Sequence, residues 1–172
     1  MPKLASSPQL PGPGQVFLDH VAWMVPDMEQ AAAAFEQLGF PLTPYAVHGH
    51  RDPETGTIRP VGTANRLAVL ERGYLEILTP VEGVDTPVTR HMRDAMAHHV
   101  GVHLLAFSVP DADDAARAIA ARNFNLQPPV HLKRAVQAET GEQAEAAFTV
   151  IRAAFEQFPE ARTQVLTHHT PE

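Results

Sequence analysis

Apolar residues run from Phe17 to Val25 with few breaks and with many β-formers, which predicts one buried strand. Pro26 ends it. Asp27 is placed to cap a following helix, with Gln30 three residues on to complete a capping box. The helix is predicted over Met28–Leu38, and Gly39 suits its C′ position. Pro41 and Pro44 force extended chain, and Thr43–Arg51 reads as a second strand. Asp52–Gly62 holds two prolines and two glycines and reads as a loop. Asn65–Glu71 and Tyr74–Leu78 are predicted as third and fourth strands about an Arg72-Gly73 turn. Val81–Gly101 is a connector with a short helix over Pro87–His99.

The pattern then recurs. LDHVAWMVPDMEQAAAAFEQLGF, ending at Phe40, returns as VHLLAFSVPDADDAARAIAARNF, ending at Phe124, 84 positions later. Ala22, Val25, Pro26, Asp27, Ala31, Ala32, Ala34 and Phe40 each meet an identical residue in the second copy. Two copies do not make a solenoid; they make a duplicated module, and a cleft between the halves is the expected place for function. The second copy predicts a strand over Val102–Val109, a helix over Ala112–Arg122, an extended segment over Val130–Gln137 and a turn over Ala138–Glu142. Propensity alone makes Ala146–Phe155 a helix, but the repeat requires a strand there and Phe148 to Ile151 is β-rich, so a strand is predicted. Thr163–Thr167 is the last strand. The expected organisation is a leader over residues 1–15, a first module over 16–80, a connector over 81–101 and a second module over 102–172.

Composition narrows the function classes. Of 172 residues, 44% are apolar, enough for a real core in one domain or two halves sharing one. The formal charge of −7, without any Lys/Arg run, argues against a nucleic-acid partner. There is no cysteine, hence no disulfide, thiolate nucleophile or Cys-ligated metal. No apolar run reaches the roughly 18 residues of a membrane span, and the opening MPKLASSPQLPGPG lacks a signal-peptide core. A cytoplasmic protein acting on a small-molecule substrate, without membrane or nucleic-acid partner, is expected. The chain stops at HHTPE soon after a strand, so an N-terminal piece of a longer polypeptide is expected, with a homodimer or a further C-terminal domain as partner.

The chemistry rests on ten histidines and a few acids on strands. His20 lies among apolar neighbours in the first strand; Glu76 lies between Leu75 and Ile77 in the fourth. A buried acid needs a partner, and a divalent ion (Zn, Fe, Mn or Ni) held by imidazole and carboxylate is one. The alternatives are a structural histidine and a salt bridge from Glu76 to Arg66 or Arg72. His103 aligns with Asp19 and should face away from Leu104, joining His20 only if a bulge shifts the register. Matching Thr79-Pro80 to Thr170-Pro171 sets Glu76 opposite Thr167, which favours His169 over His168 as a ligand. His48/His50 and His98/His99 lie in or beside loops. Gly-rich phosphate loops, G-x-S-x-G and H-E-x-x-H are absent.

The strand LDHVAWMV with His20, the segment GTANRLAVLERGYLEILTP with Glu76, and the βαβββ duplication resemble the vicinal oxygen chelate superfamily, and more narrowly its glyoxalase-like domain proteins. The resemblance covers roughly residues 16–172. It implies an α+β fold in which two βαβββ modules form a half-open barrel, of the glyoxalase/bleomycin resistance/dihydroxybiphenyl dioxygenase-like class. It also implies metal ligands from the first and last strands of each module. His20 and Glu76 match such positions. Leu104 occupies the corresponding first-strand position of the second module and cannot bind metal, so lactoylglutathione lyase activity does not follow. The expectation is a metal-dependent lyase, isomerase or dioxygenase acting on a small oxygenated substrate. Its ligands would be His20, Glu76, His169 and His103, and Glu76 would double as base. The alternative is a metal-free binding or sequestering module of the bleomycin-resistance type.

Overall fold

The computed structural model describes residues 10–51, 55, 57–137, 143–158 and 161–170. The element order is β1 (Phe17–Met24), α1 (Met28–Gln37), β2 (Ala46–Arg51), β3 (Ile58–Val69), β4 (Tyr74–Pro80), α2 (Pro87–His98), β5 (Leu104–Ser108), α3 (Ala112–Ala120), β6 (Val130–Gln137), β7 (Gln143–Arg152) and β8 (Arg162–His168). This is the α+β, twice-βαβββ arrangement that the duplication predicts. The chain forms two compact units, one built on His20–Leu105, the other on Ala106–Phe158 with Arg162–Glu172 and the chain start through Asp19.

In the first unit the strand order is β2-β3-β4-β1. β1 runs parallel to β4, and β3 is antiparallel to both β2 and β4. Asp27 caps α1 as expected, its Oδ1 accepting from Gln30 N at 3.0 Å, and Gly39 follows the helix at φ 93°. α1 covers one face of this sheet. The Trp23 ring meets Phe35 edge-on at 5.4 Å, and Arg66, the register partner of Ile77, reaches Glu36. α2 packs on the opposite face, where Met92 sits on Met24 and Leu78. Thr86 and Thr89 close its capping box, and Pro87 stands in the first turn.

In the first unit, β2 and β3 begin at other residues than the sequence reading gives. β2 begins at Ala46, because Thr43 spends its backbone N–H on Leu67 O and its hydroxyl on Leu67 N, outside the β2–β3 ladder. β3 begins at Ile58, inside the expected loop: Pro60 is tolerated beside an irregularity between Val47 and Gly49. Gly62 then allows the strand to pass under α2. It sits at φ 92°, and a Cβ there would lie 2.7 Å from Thr89 Cγ2 and 3.0 Å from Val84 Cγ1. Gly83, at φ 75°, has open space around it. Gly62→Ala should therefore lower stability by about 2–4 kcal/mol through strain plus overpacking, and Gly83→Ala by only about 1 kcal/mol, read as shifts in urea midpoint.

The second unit repeats the plan, with strand order β5-β8-β7-β6. Asp111 caps α3 as Asp27 caps α1. The segment is strand: β7 pairs with β6 over Gln143–Val150 and with β8 over Phe148–Arg152, and only at Phe155 does the chain turn into a short 3-10 helix. Cross-strand hydrogen bonding wins over alanine's helix propensity here. The expected turn over Ala138–Glu142 lies outside the described residues.

Candidate functional site

Register and alternation place a row of polar side chains on the face of the first unit opposite α1. His20 faces Tyr74 across β1 and β4, and Ala22 faces Glu76. Partners in register share a face, as do residues two apart on one strand. His20, Ala22, Tyr74 and Glu76 are therefore on one side, and Trp23 and Ile77 on the α1 side. Across β3 the same face carries Thr63, Asn65 and Leu67.

Contacts join this row in pieces. The His20 ring stacks on Tyr74, centroids 4.3 Å apart and planes within 12°. Glu76 is 6% exposed, and its Oε1 accepts from Asn65 Nδ2 at 2.7 Å in a buried hydrogen bond. Thr63 Oγ1 lies 2.8 Å from His48 Nδ1. Ala22, the register partner of Glu76, is fully buried and carries no polar group of its own. The salt-bridge alternative fails for Arg66: it lies on the α1 face and binds Thr43 O and Glu36.

His103 does not join this row. Its Nδ1 accepts from Met24 N at 3.1 Å and its Nε2 bonds His99 O at 3.2 Å. Both ring nitrogens are committed to backbone, which fixes the neutral Nε2–H tautomer and leaves no lone pair for a metal. The expected ligand is instead a clasp between the end of β1 and the end of α2, with the His99 ring stacked on it at 4.3 Å. Burial, chiefly, holds its pKa below the ordinary histidine value. Protonation would set an N–H against the Met24 N–H. Because the folded-state pKa is depressed, the clasp stabilises fully above about pH 6.5, and that stability is lost as pH falls through the lowered folded-state value. The expected result is a melting temperature that drops between pH 7 and pH 5, with a shallower drop in His103→Gln.

His169 belongs to the second unit and is exposed. Its Nε2 lies 2.8 Å from Thr149 Oγ1, which also meets His131 Nδ1 at 2.9 Å. His168 is the more buried of the pair: its Nε2 is 2.8 Å from Asp19 Oδ2, and Phe148 lies beside its ring. Sequence reasoning passed over this His168–Asp19 pair because it matched the wrong residues. Val25 N donates to Leu78 O and Val109 N to Leu166 O, each at 2.9 Å; Thr79 Oγ1 donates to Val25 O and Thr167 Oγ1 to Val109 O, each at 3.0 Å. Thr79 thus corresponds to Thr167, and the counterpart of Glu76 is Gln164, not Thr167. The repeated Leu-Thr of Leu78-Thr79 and Leu166-Thr167 was the signal; the repeated Thr-Pro misled.

A family model described as a glyoxalase-like domain matches residues 18–171. The chain belongs to the glyoxalase-like domain family. Its fold is that of the vicinal oxygen chelate superfamily, and solved structures agree. A hypothetical protein from Staphylococcus aureus superposes with TM-score 0.63 at 12% identity, covering 91% of this chain and 60% of that one. This glyoxalase-like chain thus spans about 60% of the staphylococcal protein's length. A hypothetical protein from Bacillus halodurans gives 0.59 at 12% identity, covering 92% and 98%. A Streptomyces coelicolor methylmalonyl-CoA epimerase variant, in complex with 2-nitronate-propionyl-CoA, gives 0.59 at 16% identity, covering 92% and 99%. At such identities the likeness establishes the fold alone. No functionally curated protein matches the sequence.

A metal held by four protein donors does not fit the described residues of this glyoxalase-like chain. No group of three or more His, Asp or Glu side chains among them is arranged to hold an ion. His103 is committed to backbone, and Leu104, at the counterpart of His20, has no donor atom. An ion held by His20 and Glu76, and otherwise by substrate oxygens and water, does fit the donor set. Among the described residues no helix is long and apolar enough to cross a membrane.

Proposed function

We propose that this glyoxalase-like chain is an enzyme that takes a proton from a small oxygenated substrate bound on the His20–Glu76–Asn65 face, with Glu76 as base. The observation that carries the reading is the buried Glu76 carboxylate held by Asn65 at 2.7 Å. A strand acid fixed at one oxygen by a neutral amide, rather than neutralised by an arginine, keeps its second oxygen for a proton. His20 and Glu76 are the residues that would hold a divalent ion, whose charge would stabilise an enolate or oxyanion. Asn65 orients the carboxylate, and Tyr74 fixes the plane of the His20 imidazole. Met24, Leu78 and Met92 keep water from one end of the face.

The test is deuterium uptake from D2O, read by mass spectrometry, into compounds with an acidic C–H beside a carbonyl: 2-oxo acids, and acyl thioesters such as the methylmalonyl-CoA named for the epimerase structures. Uptake above background, raised by added Co2+ or Mn2+, is expected for at least one compound. Background rates for every compound, with and without metal, would contradict the reading. A second reading is favoured by Leu104 and Gln164 at the counterpart positions: a module that binds a small molecule on the same face without turning it over. It predicts saturable binding with no deuterium uptake.

A further inference from the structure

We propose that His131 and His169, in the second unit, form a surface site for one borderline divalent ion, of which Zn2+ is the type. Three strands bring the pair together. His131 and Thr149 are register partners on β6 and β7, so their side chains leave the sheet on one face. Thr149 pairs in turn with Thr167 on β8. The ladder runs on past the end of β8, where His169 N donates to Ala147 O at 2.7 Å. His169, two residues beyond Thr167, therefore keeps the face of Thr149. This face also carries the register partners Ile151 and Val165, and it is opposite the one on which Phe148 and His168 stand. The pair is thus separate from the counterpart of the His20–Glu76 row.

Two ring nitrogens converge on one atom. His131 Nδ1 lies 2.9 Å and His169 Nε2 2.8 Å from Thr149 Oγ1. Thr149 is 5% exposed, whereas both imidazoles are exposed to solvent. A hydroxyl has a single hydrogen to give. It satisfies the lone pair of one imidazole, and the other ring must turn an N–H toward it. One cation accepts both lone pairs at once, and neutral imidazole is a good donor to Zn2+, Cu2+ and Ni2+. Bonds of about 2.0–2.1 Å to Zn2+ require the two rings to draw closer than they stand about the hydroxyl. Rotation of two exposed side chains achieves this with little packing to oppose it. Two imidazoles leave the other positions of a four-coordinate ion to water, which makes the site an open one. Mn2+, at the foot of the affinity order for such donors, should be held far more weakly than Zn2+.

The inference stands on residues of the second unit and does not rest on the role of Glu76. Histidine side-chain 15N NMR of the full chain, titrated with Zn2+ at about pH 7.5 so that the ligands are deprotonated, tests it residue by residue. A response at His20 reports on the first unit separately. His131 Nδ1 and His169 Nε2 should shift together, at the same Zn2+ concentration, and saturate below about 1 mM. In the bound state the other nitrogen of each ring carries the hydrogen, so one of the two rings changes tautomer. His131→Ala should weaken Zn2+ binding at His169 by at least about tenfold, and His169→Ala should do the same at His131, since losing a ligand costs no less than losing a residue that orients one. Both positions are exposed, so both variants should fold. No saturable shift at the two histidines, shifts that saturate at separate Zn2+ concentrations, or binding at either histidine that is unchanged when the other is alanine would each overturn the proposal.

Discussion

Glu76→Gln lowers the rate of deuterium uptake by about 10²–10⁴-fold, the usual contribution of a positioned general base. The substitution keeps the shape of the side chain and can keep a hydrogen bond to Asn65 if either amide turns over, so the fold should survive. What it removes is the basic oxygen. Glu76→Asp keeps the carboxylate but shortens the reach to Asn65 Nδ2, and should recover part of the rate. Asn65→Ala should cost less than Glu76→Gln, because it releases the carboxylate rather than deleting it. Rates measured with the protein saturated by substrate separate these effects from weaker binding. A Glu76→Gln protein with wild-type uptake would remove Glu76 from the chemistry.

The second large effect is on stability. Met92→Ala should cost about 2–5 kcal/mol, the range for deleting a large buried side chain. Met92 is fully buried and joins α2 to Met24 and Leu78, on the face that carries Glu76. Truncation leaves a cavity at the seam by which the helix is held. Val100→Ala, at a residue 99% exposed, should change stability by less than about 0.5 kcal/mol. Urea denaturation of the two variants beside the parent chain provides the comparison.

The fold was legible because its signals are local and repeated. Asp27 and Asp111 each precede an alanine-rich run and each caps a helix; the apolar runs at Phe17 and Leu104 each form strands. The repeat even corrected propensity at β7, where alanines argue for helix and ladder partners decide for strand. His20 and Glu76 were readable as neighbours on one face, because parallel pairing of first and last strands follows from the βαβββ plan. The partners of those residues were not readable. Asn65 was an ordinary strand residue until the β3–β4 register set it beside Glu76. Strand parity says little about His103, because it lies just before β5, where backbone groups of Met24 and His99 claim both ring nitrogens. The His168–Asp19 pair joins residues 149 positions apart, and a three-residue error in aligning the last strand hid it. Long-range side-chain pairing depends on register, and two Thr-containing dipeptides gave competing registers.

The proposed function requires an ion and substrate to be held on the first unit's His20–Glu76 face. NMR of the full chain during titration with Mn2+ tests it most directly, since broadening marks the residues nearest the ion. The expected result is broadening centred on His20, Ala22, Tyr74, Glu76 and Asn65, and its loss from those residues in His20→Ala. Broadening centred instead on His98 and His99, or on His168 and His169, or broadening of the Glu76 face that persists unchanged in His20→Ala, would contradict it.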